Sequence, residues 1–435
     1  MDQMIQYLIS FLLGEKCAHL SNCISYGDSK IAGIIIQPSR FFEEGIFMTE
    51  KSLPQLPLPE LEGVPVLFGK PEIHGENGKV YIEADLVASA FYLLSRYEEC
   101  VRRDIRDEHG RFPGTESLPY RAGFLSRPIV DEYGRILRDC LRRLGMNAPE
   151  PTDGFSHVYL THDVDEIWTW NNLYRALRST VKRILTHQKD AFLPIKAWKN
   201  YEQYDPVYTF PWILEQDEEA RTALGDERCT PVYFLMGAVP NLPYDRGYIQ
   251  NTERTSRLID RLKAHNSVLG YHLSYAASQN AACISEEIRR IEALTGTKVH
   301  WNRNHYLASR EPEAFRDLID AGITDDFTMA YANVSGFRLG TSRPVHWIDP
   351  IRRQVTELIL HPMTVMECTL DVYMGIKDEE EAFTFVKDLL KQVWKHGGEA
   401  VLLWHSPEVY PTPGSYHRSL YCCVLKEIES WGKRI

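Results

Sequence analysis

The sequence contains no run approaching the roughly 20 apolar residues of a membrane span, so no transmembrane segment is expected. Its start, MDQMIQYLISFLLGEKC, has a short apolar stretch. It also has Asp2, no early Lys or Arg and no small-residue cleavage site, which argues against a secretory signal. Cysteine pairs in CxxC spacing are absent, and the nine cysteines are odd in number. Reduced thiols and a cytoplasmic setting are the expectation. An excess of basic residues is absent too: a net charge of −11 speaks against a nucleic-acid or anionic-membrane surface. Internal repeats and low-complexity segments are missing, which removes a solenoid.

The 435 residues are 44% hydrophobic and 25% charged, ordinary proportions for a globular chain and more than one core usually supports. The stretch MNAPEPTDG (146–154) has two prolines and a glycine between periodic segments. A boundary there gives an N-terminal domain over 1–150 and a second over 151–435. In the first, KIAGIIIQPS and GKVYIEADL have strand character. Asp85 caps a run whose Leu86, Ala90, Leu93, Leu94 and Tyr97 fall at helical spacing, so a smaller α+β domain is predicted.

After the boundary, seven apolar runs recur: HVYLTHD, TPVYFLMG, SVLGYHLS, KVHWNRNHY, GITDDFTM, VTELILHPM and AVLLWHSP. Helical segments separate them, among them SEEIRRIEALTG, with Ser285 at its start and Gly296 as its stop, and EPEAFRDLIDAG. The alternation predicts an α/β fold, a distorted parallel (β/α) barrel of about seven strands. His162 to Asp165, His272, Arg303 to His305, Asp325 and His405 each lie at the C-terminal end of a run, the end at which barrel enzymes assemble their sites.

Asp163 and Asp165 stand two apart, so an extended chain points both to one side, where a cation or an Arg would relieve their repulsion. The plainer role for Asp165 or Glu166 is to cap a following helix. His272 follows Gly270 at a strand end, where a structural hydrogen bond is the ordinary fate of a histidine. Arg303 and His305 repeat the two-residue spacing and offer a carboxylate partner and an imidazole ligand; otherwise they belong to a surface loop. His405 follows an apolar strand and Trp404, a partly desolvated setting suited to acid catalysis, or it caps the last helix. Trp168, Trp170, Trp301 and Trp404 have faces suited to sugar rings, and equally suited to packing. Trp168, Trp404 and Asp325 are the candidate substrate contacts.

The order THDVD, GYHLS, RNHY, TDDFTMAYANVSGFRLGT and LLWH resembles the polysaccharide deacetylase family, the NodB-homology or carbohydrate esterase family 4 domain, over residues 155–435. ADLVASAFYLLSRYEE and HGRFPGTESLPYRAGFLSRPIVDE resemble the accessory domain that precedes such barrels in bacteria of the Bacteroides type. The resemblance implies a metal-dependent hydrolase that removes N-acetyl or similar acyl groups from an amino-sugar glycan. It implies Asp163 as catalytic base, Asp165 and His272 as metal ligands, Arg303 as the group orienting the base, and His405, in the Leu403-x-His405 motif, as general acid.

One position departs from the family pattern. The second motif's further histidine is Ala276 here, and His305 is the substitute ligand, with His162 next. Zinc is the first choice for an Asp and His set, while cobalt, nickel or iron accept the same ligands. Two other functions stay open: a catalytically inactive carbohydrate-binding or scaffold protein lacking a full metal triad, and an amidohydrolase-type or phosphoesterase site using His162 and Asp163. Sites of the latter type usually hold two ions about 3.5 to 4 Å apart.

Overall fold

The seven apolar runs all become strands in the computed structural model, which describes residues 2–239, 242–248 and 253–432. They are His157–Val164, Cys229–Met236, Val268–Leu273, Trp301–Asn304, Asp325–Asp326, Gln354–Leu360 and Glu399–Leu403. The chain forms two compact units, each discontinuous in sequence. One comprises Met1–Ser156, Tyr306–Val365 and Asp388–Ala400; the other comprises His157–His305, Met366–Lys387 and Val401–Ile435. The unit that begins the chain therefore also takes in two later segments, whereas composition alone suggested a single cut near residue 150.

The first unit contains a four-stranded sheet in the order Ile24–Tyr26, Ile34–Ile36, Lys79–Ala84, Gly69–Glu76. The first two pairings are parallel and the last is an antiparallel hairpin. Asp85, wholly buried, caps helix Leu86–Leu94 by accepting from the Ala88 N–H at 2.8 Å. The same carboxylate accepts from Ser39 and Tyr26, which tie the loop and strand edge to the helix start. A carboxylate so far from water requires such partners.

The same unit holds an element absent from the sequence expectation. Val345–Asp349 forms an eighth strand and pairs antiparallel with Gln354–Leu360. Its burial alternates at Val345, His346 and Trp347, the period of an extended strand, between Pro344 and Pro350. The link between the two strands, residues 350–353, is too short for a crossover helix, so the pair is a hairpin and the all-parallel expectation fails there. Asp325–Asp326 pairs parallel with Gln354–Leu360 on its other side.

In the second unit the strand order is Trp301–Asn304, Val268–Leu273, Cys229–Met236, His157–Val164, then the Val401–Leu403 part of strand Glu399–Leu403. The first four are mutually parallel, as strands joined by helical crossovers must be. His157–Val164 is buried on both faces from Val158 onward, as expected of a strand in a covered parallel sheet. Helix Phe210–Leu224 packs against helix His417–Gly432, and helix Ile284–Thr295 ends on Gly296 in the left-handed conformation (φ 69°). Ser285 lies inside that helix rather than at its cap, which is Cys283. All nine cysteines are free thiols. Among the described residues no helix is long and apolar enough to cross a membrane.

Candidate active site

The parallel register brings four polar groups to neighbouring strand ends. Asp163 aligns with Phe234 and Gly270, and two residues further on Met236, His272 and Arg303 are in line. Asp165, just past the strand end, continues the side of Asp163 because side chains alternate. The result is convergence: His272 Nε2 lies 3.1 Å from Asp165 Oδ1 and 3.9 Å from Asp163 Oδ2. His162 falls on the opposite face for the same reason. Its Nδ1 donates to the Trp404 carbonyl at 2.7 Å and its Nε2 lies 3.1 Å from Asp217 Oδ2. Asp217 also accepts from the hydroxyls of Tyr233 and Tyr421. His162 thus belongs to a buried structural network and faces away from Asp163 and Asp165, which turns it from the role of alternative ligand.

Arg303 is wholly buried, and its Nη1 donates to Asp163 Oδ1 at 3.1 Å and to Thr161 Oγ1 at 2.7 Å. The guanidinium lies 4.7 Å over the Phe234 ring. Gly270 makes room for that ring: a Cβ there would stand 2.6 Å from Phe234 Cδ1. Breaking a buried pair such as Arg303 and Asp163 by removing one partner costs about 3–5 kcal/mol.

Three ligand atoms, from Asp165, His272 and His305, lie within 4.8 Å of one another. His272 Nδ1 donates to the Arg303 carbonyl at 2.9 Å, which directs Nε2 toward Asp165. His305 Nδ1 donates to Asp245 Oδ1 at 2.9 Å, and its Nε2 stands 3.5 Å from Asp165 Oδ1. A carbonyl or carboxylate on one ring nitrogen fixes the tautomer in which the other nitrogen presents a lone pair, the usual support of metal-ligating histidines. Two imidazole nitrogens facing one carboxylate oxygen require a proton or a cation between them. Burial alone would raise the Asp165 carboxyl, but His305, His272 and His405 outweigh it and hold it well below the usual range. Burial would likewise lower His272, and Asp163 and Asp165 raise it instead. The donor set therefore fits a divalent metal.

On the other side of the two carboxylates stands His405. Its Nδ1 donates to Glu367 Oε1 at 2.6 Å, and the same oxygen accepts its backbone N–H at 2.9 Å. Nε2 is 3.8 Å from Asp163 Oδ2 and 3.9 Å from Asp165 Oδ2, beyond hydrogen-bond reach of either. Burial works against the imidazolium, yet Glu367, Asp165 and Asp163 push His405 up to about 10. Glu367, Cys368 and His405 form a second group with ligand atoms within 4.8 Å.

Sequence reasoning missed two carboxylates, Asp245 and Glu367, both wholly buried on their side chains. Asp245 sits in the non-helical, non-strand stretch LPYDRGY (242–248), with no periodic signal. Besides His305 it accepts the backbone N–H groups of Tyr275 and Ala276 at 2.8 and 2.9 Å. The position where the family pattern has histidine thus contributes a backbone donor to the carboxylate that orients His305. Glu367 directly follows the short strand Val365–Met366 and carries no motif.

The remaining expected contacts lie elsewhere. Trp404 is wholly buried, its ring 5.1 Å from Tyr421 and its Nε1 donating to the His417 carbonyl, so packing occupies the face expected to meet a sugar. Trp168 packs edge-on to Tyr201 and beneath Arg254. Trp170 is buried in a small cluster with Ala176 and Ala197. Trp301 meets Tyr159 edge-on. Asp325 belongs to the other unit, where its Oδ1 lies 3.0 Å from His361 Nε2.

Residues 3–146 match a family of unknown function, DUF7033. No curated protein matches the chain. Among solved structures, a candidate polysaccharide deacetylase from Mycobacterium smegmatis is 12% identical with a TM-score of 0.38, over 65% of this chain and 88% of that one. A mutant of BA3943, a CE4 family pseudoenzyme with restored enzymatic activity, is 16% identical with a TM-score of 0.28, over 63% of this chain. This chain spans 64% of the latter's length. At these scores both likenesses leave the functional reading to the geometry of the site.

Proposed function

We propose that this protein is a metal-dependent hydrolase that removes N-acetyl or similar acyl groups from an amino-sugar glycan. Its fold on this reading is a distorted (β/α) barrel, and its setting is a reducing cytoplasm, in keeping with nine free thiols. The observation that carries the proposal is the facing pair of Asp165, with two supported imidazoles, and Asp163, held by Arg303 on one side and near His405 on the other.

Asp165, His272 and His305 would hold the ion. Zinc suits one carboxylate and two imidazoles, and cobalt, nickel or iron suit them also. Such an ion would supply Lewis acidity to the amide carbonyl and would make an attacking water more acidic. Asp163 accepts that water's proton, and Arg303 holds and aims the carboxylate. His405 donates the Nε2 proton to the sugar nitrogen as the C–N bond breaks, releasing a carboxylic acid and an amine. Glu367 keeps His405 in its protonated form.

The test combines metal analysis with acetate release from N-acetylated glucosamine oligosaccharides by the full chain. About one divalent ion per chain is expected, with acetate release abolished by a chelator and restored by zinc. No bound ion and no acetate release would favour the inactive carbohydrate-binding alternative. Two ions per chain with phosphoester cleavage would favour the phosphoesterase.

A further inference from the structure

The whole-chain charge of −11 conceals one strongly basic segment. Between Glu166 and Asp190 there is no acidic residue, while Arg175, Arg178, Lys182, Arg183 and Lys189 fall there. Helix Leu173–Leu185 occupies the middle of this stretch, started by Asn172, whose side chain accepts from the Arg175 N–H at 2.9 Å. Ala176 packs with Trp170 and Ala197, which seats the helix on helix Leu193–Lys199.

Leu173, Tyr174, Leu177, Val181, Ile184 and Leu185 are all exposed, Tyr174 to 72% and Leu185 to 74%. Successive residues turn by about 100°, which collects these six into one arc of about 120° beside the seated Ala176 and Thr180. Arg178, Lys182 and Arg175 follow along the far border of that arc. Phe192, just beyond the helix, is 61% exposed. None of the five cations forms an ion pair among the described residues; Arg183 donates instead to the Asp190 carbonyl.

We propose that helix Leu173–Leu185 docks this protein on an anionic phospholipid bilayer, apolar arc down and basic border at the phosphates. An exposed apolar stripe of this size marks a contact surface. A nucleic acid would use the cations and leave the leucines in water, and a protein groove would take the leucines with no need of the cation border. The two side by side match an interfacial helix, in which apolar side chains enter the acyl boundary and Lys and Arg stems reach back to the headgroups. Attraction to anionic lipid adds with each cation at the surface. The proposal is independent of the catalytic reading.

Sedimentation of the full chain with vesicles of phosphatidylglycerol and phosphatidylcholine, against phosphatidylcholine alone, tests it. Partitioning is expected to be at least about tenfold stronger on the anionic vesicles and to weaken with salt. The exposed-site variants Leu177→Asp/Ile184→Asp and Arg178→Glu/Lys182→Glu should each lower it about tenfold, with melting temperature and metal content unchanged. Equal partitioning of wild type on both vesicle types, or no partitioning, overturns the proposal. So does a dimer in analytical ultracentrifugation that dissociates in Leu177→Asp/Ile184→Asp while vesicles are ignored, or oligonucleotide binding that survives that variant.

Discussion

Two histidines, one in each unit, sit against carboxylates, His361 buried and His405 partly buried, and differ in what they leave open. His361 is closed: Nδ1 lies 2.7 Å from Glu399, Nε2 lies 3.0 Å from Asp325, and the ring stacks on Phe327 with centroids 4.3 Å apart. His405 has one nitrogen on Glu367 and the other facing Asp163 and Asp165 across 3.8 and 3.9 Å. Burial opposes protonation in both, and the carboxylates prevail, raising His361 to about 9 and His405 to about 10. A shifted titration therefore does not distinguish scaffold from chemistry. The second nitrogen does, since both nitrogens of His361 meet a carboxylate within 3.0 Å, whereas Nε2 of His405 stands beyond hydrogen-bond reach of Asp163 and Asp165.

The comparison is broken first at the focal carboxylate. Asp165→Ala, or His272→Ala, is expected to lose the bound ion and reduce acetate release to background; retained metal in both variants would remove these residues from the ligand set. His405→Ala should keep the ion and lower turnover by about 10²–10⁴-fold, while unchanged turnover would remove the acid role.

His361 should behave in the opposite way. Its folded pKa of about 9 lies above the 6.5 of the free side chain, so its contribution is full below pH 6.5 and lost as pH rises through 9. Wild-type stability should fall across that window by no more than about 3 kcal/mol. Chemical denaturation should show the slope flattened in His361→Gln, with hydrolysis per folded molecule retained; an unchanged slope would refute the pairing. The smallest effect sharpens the contrast at the metal. Asp245→Asn leaves all three ligands and weakens the support of His305, so zinc affinity in a chelator competition should drop about 10–100-fold. Affinity equal to wild type would detach Asp245 from the site.

Much of the scaffold was legible because its signals are local. Apolar runs such as TPVYFLMG bury both faces and announce strands, and Asp85 and Gly296 announce a helix start and stop by their own conformational needs. The Asp163-x-Asp165 and Arg303-x-His305 spacings carry the strand period, so each pair's shared direction was written in sequence. Legibility ended where a residue's meaning depends on a distant partner. Val345–Asp349 gains its strand identity from the hairpin with Gln354–Leu360, and Trp404 sits beside a motif yet is packed against Tyr421. Asp245 and Glu367 belong to no repeating pattern, and burial beside an imidazole alone reveals them.

By itself the sequence determined that Asp163, His272, Arg303 and His405 fall at or near strand ends, because side-chain alternation and capping are properties of a few consecutive residues. Only the tertiary structure decided which of them meet. Parallel register aligned Asp165 with His272 and turned His162 away. Desolvation by the surrounding chain then gave Glu367 and Asp245 their hold on His405 and His305, since a buried carboxylate has no water to fall back on.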